Sequence, residues 1–209
     1  MEIKVNSLFE CNDINILPQN RLKTRQTNLI PAICFYNGSF VPIHAGHVNV
    51  LEEAKRYINN LGTHELIGAY ISPSHSGYIA KKLKAEEIIG VGHRLSMIYL
   101  AVEHLDWVMV DLFETFQPSN TFLYVIMEAF IDRVRSQLVD GKQIDIFWLK
   151  GEDALKYMSP CDGILKSGYH SIYVINRRDN KNVTNEQNLE DYYDKQWQDI
   201  RKLSSYPER

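Results

Sequence analysis

An unbroken apolar run, Ala32-Ile33-Cys34-Phe35-Tyr36, stops at Asn37-Gly38-Ser39 and gives way to a stretch with helical spacing. A run with no polar alternation reads as a strand buried on both faces. In the stretch that follows, Val48, Leu51, Ala54, Tyr57 and Ile58 share one face of a helix. The strand-then-helix order then recurs. ELIGAYIS reads as a strand, and after a long polar connection HRLSMIYLAVEHL reads as a helix. DWVMVDL is the next strand, and TFLYVIMEAFIDRVRSQL a long helix closed by Gly141 as its C-terminal cap. QIDIFWLKG, a short helix around EDALKYM, and a strand HSIYVIN complete the series. Such alternation requires right-handed crossovers, so the fold class expected is α/β, a doubly wound, mostly parallel sheet of Rossmann-like type. Residues 1–30 are mixed and polar and read as an N-terminal extension with one short strand, IKVNSLF; residues 31–209 are expected to form the domain.

Bulk properties narrow the partners. A chain of 209 residues, 44% apolar, can bury its own core without disulfides. A net charge of −3 is unlike the basic excess of a protein that tracks nucleic acid, so none is expected as partner. Cys11, Cys34 and Cys161 are odd in number and lack metal spacing, which fits a reducing compartment. The N-terminus has no basic region followed by a long apolar stretch, and no apolar run approaches the ~18–20 residues of a membrane helix. A soluble, cytoplasmic protein with no membrane partner is expected.

Ligands of doubly wound sheets sit beyond the carboxyl ends of the strands. Function is therefore expected at Asn37–His47, Ser72–Arg94, Asp111–Gln117, Gly151–Asp153 and Asn176–Asp179. The first of these carries the most chemistry. Gly38 and Gly46 let the backbone approach a ligand closely. A helix N-terminus there would favour anions. His44 and His47 are three residues apart, so a helix beginning near Ala45 places them one turn apart at its mouth. Two imidazoles aimed at one point suit an α-phosphate, whose oxygens gain charge during transfer. GxxxxGK[ST] and GxGxxG are both absent, so neither a Walker loop nor hydride chemistry is implied.

Gly38-Ser39-Phe40-Val41-Pro42-Ile43-His44-Ala45-Gly46-His47 resembles the signature of the HxGH nucleotidyltransferases. Ile71-Ser72-Pro73 with Tyr78 and Lys81-Lys82, His93-Arg94, Asp106-Trp107, Val110-Asp111 with Glu114 and Gln117, Gly151-Glu152-Asp153-Ala154-Leu155, and Val174-Ile175-Asn176-Arg177 resemble the eukaryotic-type nicotinamide/nicotinate mononucleotide adenylyltransferases. The similarity runs from about residue 32 to 179. It implies AMP transfer from ATP, accompanied by Mg²⁺, to the 5′-phosphate of nicotinamide or nicotinate mononucleotide, with pyrophosphate leaving. It implies His44 and His47 as catalytic phosphate ligands. It implies Gly38, Ser39, Phe40, Lys81, Lys82, Gly151, Asp153, Arg177, Ser204 and Arg209 for ATP and its phosphates, and Ser72 and Trp107 for the acceptor. Trp107, at a strand start, is equally a candidate for core packing. Lys81 and Lys82 are equally the charges of a solvated loop, and His75 a further phosphate donor or an exposed turn residue.

Two departures from the family pattern stand out. The terminal LSSYPER fits the spacing of the family's ISSTxxR, but Tyr206 replaces the threonine and Pro207 intrudes before Arg209. After Gly151 relatives carry a tryptophan that stacks on the pyridine ring; Ser159–Leu165 holds none. The alternatives are therefore a related nucleotidyltransferase with another phosphorylated acceptor and ATP or CTP as donor, using a pocket around Trp107, Phe113 and Ile164–Leu165, or a catalytically weak nucleotide-binding module.

Overall fold

Among the described residues, five strands form one parallel sheet in the order β3-β2-β1-β4-β5. They are β1 Ile30–Gly38, β2 His64–Pro73, β3 Val108–Val110, β4 Asp145–Gly151 and β5 His170–Val174. The described α-helices are α1 Ala45–Asn60, α2 Ser76–Lys82, α3 Val91–Val102 and α4 Leu123–Gln137. The computed structural model describes residues 13–151 and 170–174, all within one compact unit, Met1–Asn176. The expected strand at IKVNSLF and helix at EDALKYM lie outside the described residues. No helix among the described residues is long and apolar enough to cross a membrane.

The continuous apolar run becomes the central strand. β1 is hydrogen-bonded to β2 on one side and β4 on the other, so both of its faces need cover. Ala32, Cys34 and Tyr36 face a core shared with Leu51, Ala54 and Ile58 of α1 and Ile98 and Val102 of α3. Ile33 and Phe35 face the opposite core with Ile126, Met127, Phe130 and Val134 of α4. Period-two alternation thus sorts the residues of one strand between two cores. The chain winds β1-α1-β2-α3-β3 outward on one face, then crosses through α4 on the other to add β4 beside β1. That reversal confirms the doubly wound reading and leaves a crevice beyond the carboxyl ends of β1 and β4.

Residues 13–29 pack on this unit. Leu17 is buried in the α4-side core, the Tyr70 hydroxyl donates to the Pro18 carbonyl, and Arg21 Nη1 donates to the carbonyls of Val102, Leu105 and Val108.

Three local expectations are corrected. The long polar connection after β2 contains helix α2, whose N-cap His75 accepts from the Gly77 N–H. Its last turn carries Lys81 and Lys82, placed by sequence in a loop. The strand expected over DWVMVDL is only Val108–Val110, because Asp111 already turns its carboxylate into the core. Gly141 is not the cap of α4. The helix ends at Leu138 in extended backbone, Asp140 takes the left-handed conformation (φ 54°), and Gly141 opens a 3-10 turn. Glycine is required at 141 for another reason: a Cβ there would lie 2.2 Å from the Val134 carbonyl oxygen.

Asp111 and Arg133 form a bidentate ion pair, 2.8 Å on each arm, with exposures of 1% and 6%. It ties the end of β3 to the middle of α4. Removing one partner strands a buried charge, so Arg133→Ala is expected to lower the unfolding free energy by about 3–5 kcal/mol. Urea denaturation reads this, and the double variant with Asp111→Ala should lose less than the sum of the single losses. Additive losses would show that the two groups do not act as a pair.

Candidate active site at the carboxyl edge of the sheet

The phosphate-loop candidate begins where β1 leaves the sheet. Trp148 Nε1 on β4 donates to Asn37 Oδ1 at 2.9 Å, pinning the strand end beside the crevice. At Gly38 the chain passes over the Phe40 ring, and a Cβ there would sit 3.1 Å from its Cζ. Phe40 takes a left-handed conformation (φ 47°), uncommon for a non-glycine residue, and turns its side chain inward. Its ring is 2% exposed and packs edge-on against Tyr36 and His47, with centroids at 5.3 and 5.1 Å. Phe40, expected among the phosphate ligands, therefore contributes a platform under His47; only its backbone remains for a ligand.

α1 begins at Ala45, as the histidine spacing requires. His44 is its N-cap, and Nδ1 of its ring accepts from the Gly46 N–H at 3.1 Å. His47 Nδ1 accepts from the His44 N–H at 3.2 Å, closing a reciprocal capping box made of two histidines. The rings lie 3.8 Å apart between centroids. Because each Nδ1 accepts a backbone proton, each neutral imidazole carries its own proton on Nε2. The helix start thus fixes both tautomers as Nε2–H donors. No acidic residue occupies the first turn of α1, so the helix supplies no carboxylate of its own to the positive end of its dipole. His44 also stands at the rim of an open groove of about 440 Å³ between α1 and α3, with Val48, Glu52, Ala101 and His104 along it.

Behind the loop lies a buried polar centre that the sequence motifs only skirt. Arg94, at the start of α3, is fully buried, and its Nη1 donates to the Ser39 carbonyl at 3.1 Å and the Ser74 carbonyl at 2.7 Å. It joins the turn after β1 to the turn after β2, which also meet through Ser74 N–H on the Gly38 carbonyl. Glu114 lies nearby at 6% exposure. Burial pushes its carboxyl up to about 7, against hydrogen bonds from the Ser74 hydroxyl and His75 N–H and the Arg94 charge; Asp111 pushes the same way as burial. Burial likewise lowers the Arg94 guanidinium, and Glu114 opposes that shift.

The remaining candidates separate. Ser72 lies at the end of β2 in register with Asn37, but its side chain is fully buried and faces no solvent. Trp107, the acceptor candidate, precedes β3 on its amino-terminal side. It stands four positions before Asp111, ~13 Å along a strand, at 4% exposure inside the α1–α3 core, with Lys55 Nζ 4.6 Å from its ring. Core packing therefore claims Trp107. Phe113 follows the carboxyl end of β3, on the edge of the sheet opposite Trp107, and packs against the α4-side core. It is half-buried, with the Arg133 guanidinium 4.4 Å over its ring. Its position three residues past the strand was a signal available in the sequence. Lys81 and Lys82 are exposed on α2. Gly151 ends β4 and pairs with Val174. Asp153, Arg177, Ser204 and Arg209 lie outside the described residues.

Residues 35–192 match the family described as Cytidylyltransferase-like. The nicotinamide/nicotinic acid mononucleotide adenylyltransferase 2 of Xenopus tropicalis is 37% identical over 97 residues, which cover 46% of this chain and 29% of that protein. The nicotinamide/nicotinic acid mononucleotide adenylyltransferase of Schizosaccharomyces pombe is 30% identical over 153 residues, 68% of this chain and 40% of that one. The chain thus spans less than half the length of these relatives. A solved nicotinic acid mononucleotide adenylyltransferase of Plasmodium falciparum, complexed with APC, superposes with a TM-score of 0.45 at 14% identity, over 69% of this chain and 75% of that one.

Two outcomes are expected from this geometry. A Cβ on Gly46 would fall 2.9 Å from His44 Cε1. Long-range ¹H–¹⁵N spectra should show Nε2–H tautomers for His44 and His47 in the wild type, and Gly46→Ala should disturb the His44 pattern; Nδ1–H signals in the wild type would refute the capping box. The second concerns Glu114, whose folded state holds its proton more tightly than the unfolded chain. Stability is therefore withdrawn as pH rises from the ordinary value of 4.5 to about 7, by up to about 3 kcal/mol. Glu114→Gln has no proton to lose, so its melting temperature should gain on the wild type between pH 5 and pH 7.5. An unchanged difference would count against a buried, proton-holding Glu114.

Proposed function

The chain belongs to the cytidylyltransferase-like family, and we propose that it transfers AMP from ATP to the 5′-phosphate of nicotinamide or nicotinate mononucleotide. The observation that carries the reading is the pair of Nε2–H donors fixed by the His44–His47 box at the N-terminus of α1. They stand beside the crevice where the strand order reverses, which is where a doubly wound sheet binds ligands.

In the proposed step an oxygen of the acceptor phosphate attacks the α-phosphorus of ATP. The bond from that phosphorus to the bridging oxygen of the β-phosphate breaks, and pyrophosphate leaves with the electron pair. The acceptor is already an anion, so no strong general base is needed, and positioning with charge stabilisation supplies the catalysis. His44 and His47 donate to oxygens whose charge grows as the α-phosphorus becomes five-coordinate. N–H groups of the loop and of the first turn of α1 add to them. Mg²⁺ enters as part of the substrate, carried on the ATP phosphates and water. Lys81 and Lys82, at the exposed end of α2, are proposed to meet the same phosphates. Asp153 is proposed to accept from ribose hydroxyls.

A second reading, transfer to a different phosphorylated acceptor, is favoured by the packing of Trp107 into the core and the lack of a tryptophan in Ser159–Leu165. Phe113 then supplies the aromatic surface on the acceptor side.

Pyrophosphate release from Mg·ATP or Mg·CTP with a panel of phosphorylated acceptors separates the readings. Dinucleotide formation with nicotinamide or nicotinate mononucleotide is expected. Release only with other acceptors would replace the acceptor, and no release despite ATP binding would leave a nucleotide-binding module. His47→Ala is expected to lower turnover at least tenfold with a modest loss of ATP affinity; unchanged turnover would remove His47 from the mechanism.

A further inference from the structure

Among the described residues, four buried side-chain atoms lack a hydrogen-bond partner: Ser72 Oγ, Arg94 Nε and Nη2, and Glu114 Oε2. All belong to one place, the junction of the turns after β1, β2 and β3. Buried polar atoms are nearly always paired, so a local concentration of unpaired ones calls for an explanation. They are enclosed by protein and open to no solvent, so a ligand pocket does not explain them.

The pairing that Arg94 does make is the informative part. One nitrogen, Nη1, reaches both the Ser39 carbonyl in the phosphate loop and the Ser74 carbonyl in the turn after β2. A planar guanidinium spans two such acceptors at a fixed angle, which an ammonium on a flexible stem does not. The other side of the guanidinium, Nε and Nη2, makes no hydrogen bond.

We propose that Arg94 is a positioning residue, fixing the phosphate loop to the turn after β2 so that His44, His47 and the loop N–H groups meet the α-phosphate. The kinetic part of this proposal rests on the nucleotidyl-transfer reading above; the loop-fixing part does not. An ammonium in its place cannot span the two carbonyls at that fixed angle, so the two turns part. The loop then still attracts a polyanion, but a displacement of about 1 Å at the reacting centre can cost on the order of a hundredfold in rate.

Two measurements test this, on the full chain and with Arg94→Lys. Hydrogen exchange reads the loop directly. Amides of residues 39–47 should exchange at least tenfold faster in Arg94→Lys while those of β1 residues 32–36 keep their protection; unchanged loop protection, or equal acceleration in both segments, overturns the proposal. Pyrophosphate release per ATP-binding site reads the consequence. Arg94→Lys should lose at least tenfold in kcat with ATP affinity altered less than about threefold, the split expected when alignment and not attraction is lost. Wild-type kcat in Arg94→Lys overturns the role. If the wild type releases no pyrophosphate with any acceptor, the transfer reading fails, and loop exchange decides the positioning role on its own.

Discussion

The described residues are arranged around one strand with no solvent face. β1 sits between β2 and β4 and sends alternate side chains into two separate cores. Only a strand that is apolar at every position can do so, and helices must then be supplied to both of its sides. Helices on opposite faces force the chain to reverse its direction of travel across the sheet at β1. The reversal opens the crevice, and β1 itself delivers the glycine-containing turn and the helix start into it. Core and site are two consequences of one placement.

The turns beyond the strands are held by polar groups that the hydrophobic pattern does not specify. Trp148 on β4 holds Asn37, Arg94 on α3 holds Ser39 and Ser74, and Arg133 on α4 holds Asp111. Each draws a loop at the carboxyl edge back onto a rigid element. Preorganisation in phosphoryl-type transfer depends on such supports, since donors that must move before reacting lose most of their benefit.

Legibility in the sequence followed the same division. Strands and helices that bury a full apolar face, β1, β2, α1, α3 and α4, were readable because their periodicity reports the core directly. The helix start at Ala45 was readable because glycine and histidine spacing constrain it. What was missed is local or polar. α2 has a single fully buried residue, Ile79, and its cap is a histidine, so neither periodicity nor an ordinary cap residue announced it. Trp107 could be read two ways, because a tryptophan before a strand looks alike whether it packs or binds; only the register of β3 decides. Arg94 and Glu114 are among the residues that carry the family resemblance, but nothing along the chain marks either as buried. Their burial depends on contacts 20 and more residues apart, which no window along the chain contains. Gly141 illustrates the converse: the residue was noticed, but its requirement comes from the Val134 carbonyl and not from the helix end.

The two-histidine cap carries an implication about heredity as well as chemistry. Because each imidazole accepts from the backbone of the helix it opens, a single substitution at either position changes the local fold and the phosphate-facing donor together. An asparagine could stand in for the cap through its side-chain oxygen, while a cation could stand in for the attraction to phosphate, but neither covers both tasks. Sequence drift at this pair is therefore restrained from two independent directions. In a descendant that kept the fold and abandoned the reaction, only the capping half of that constraint would remain, and an asparagine would meet it.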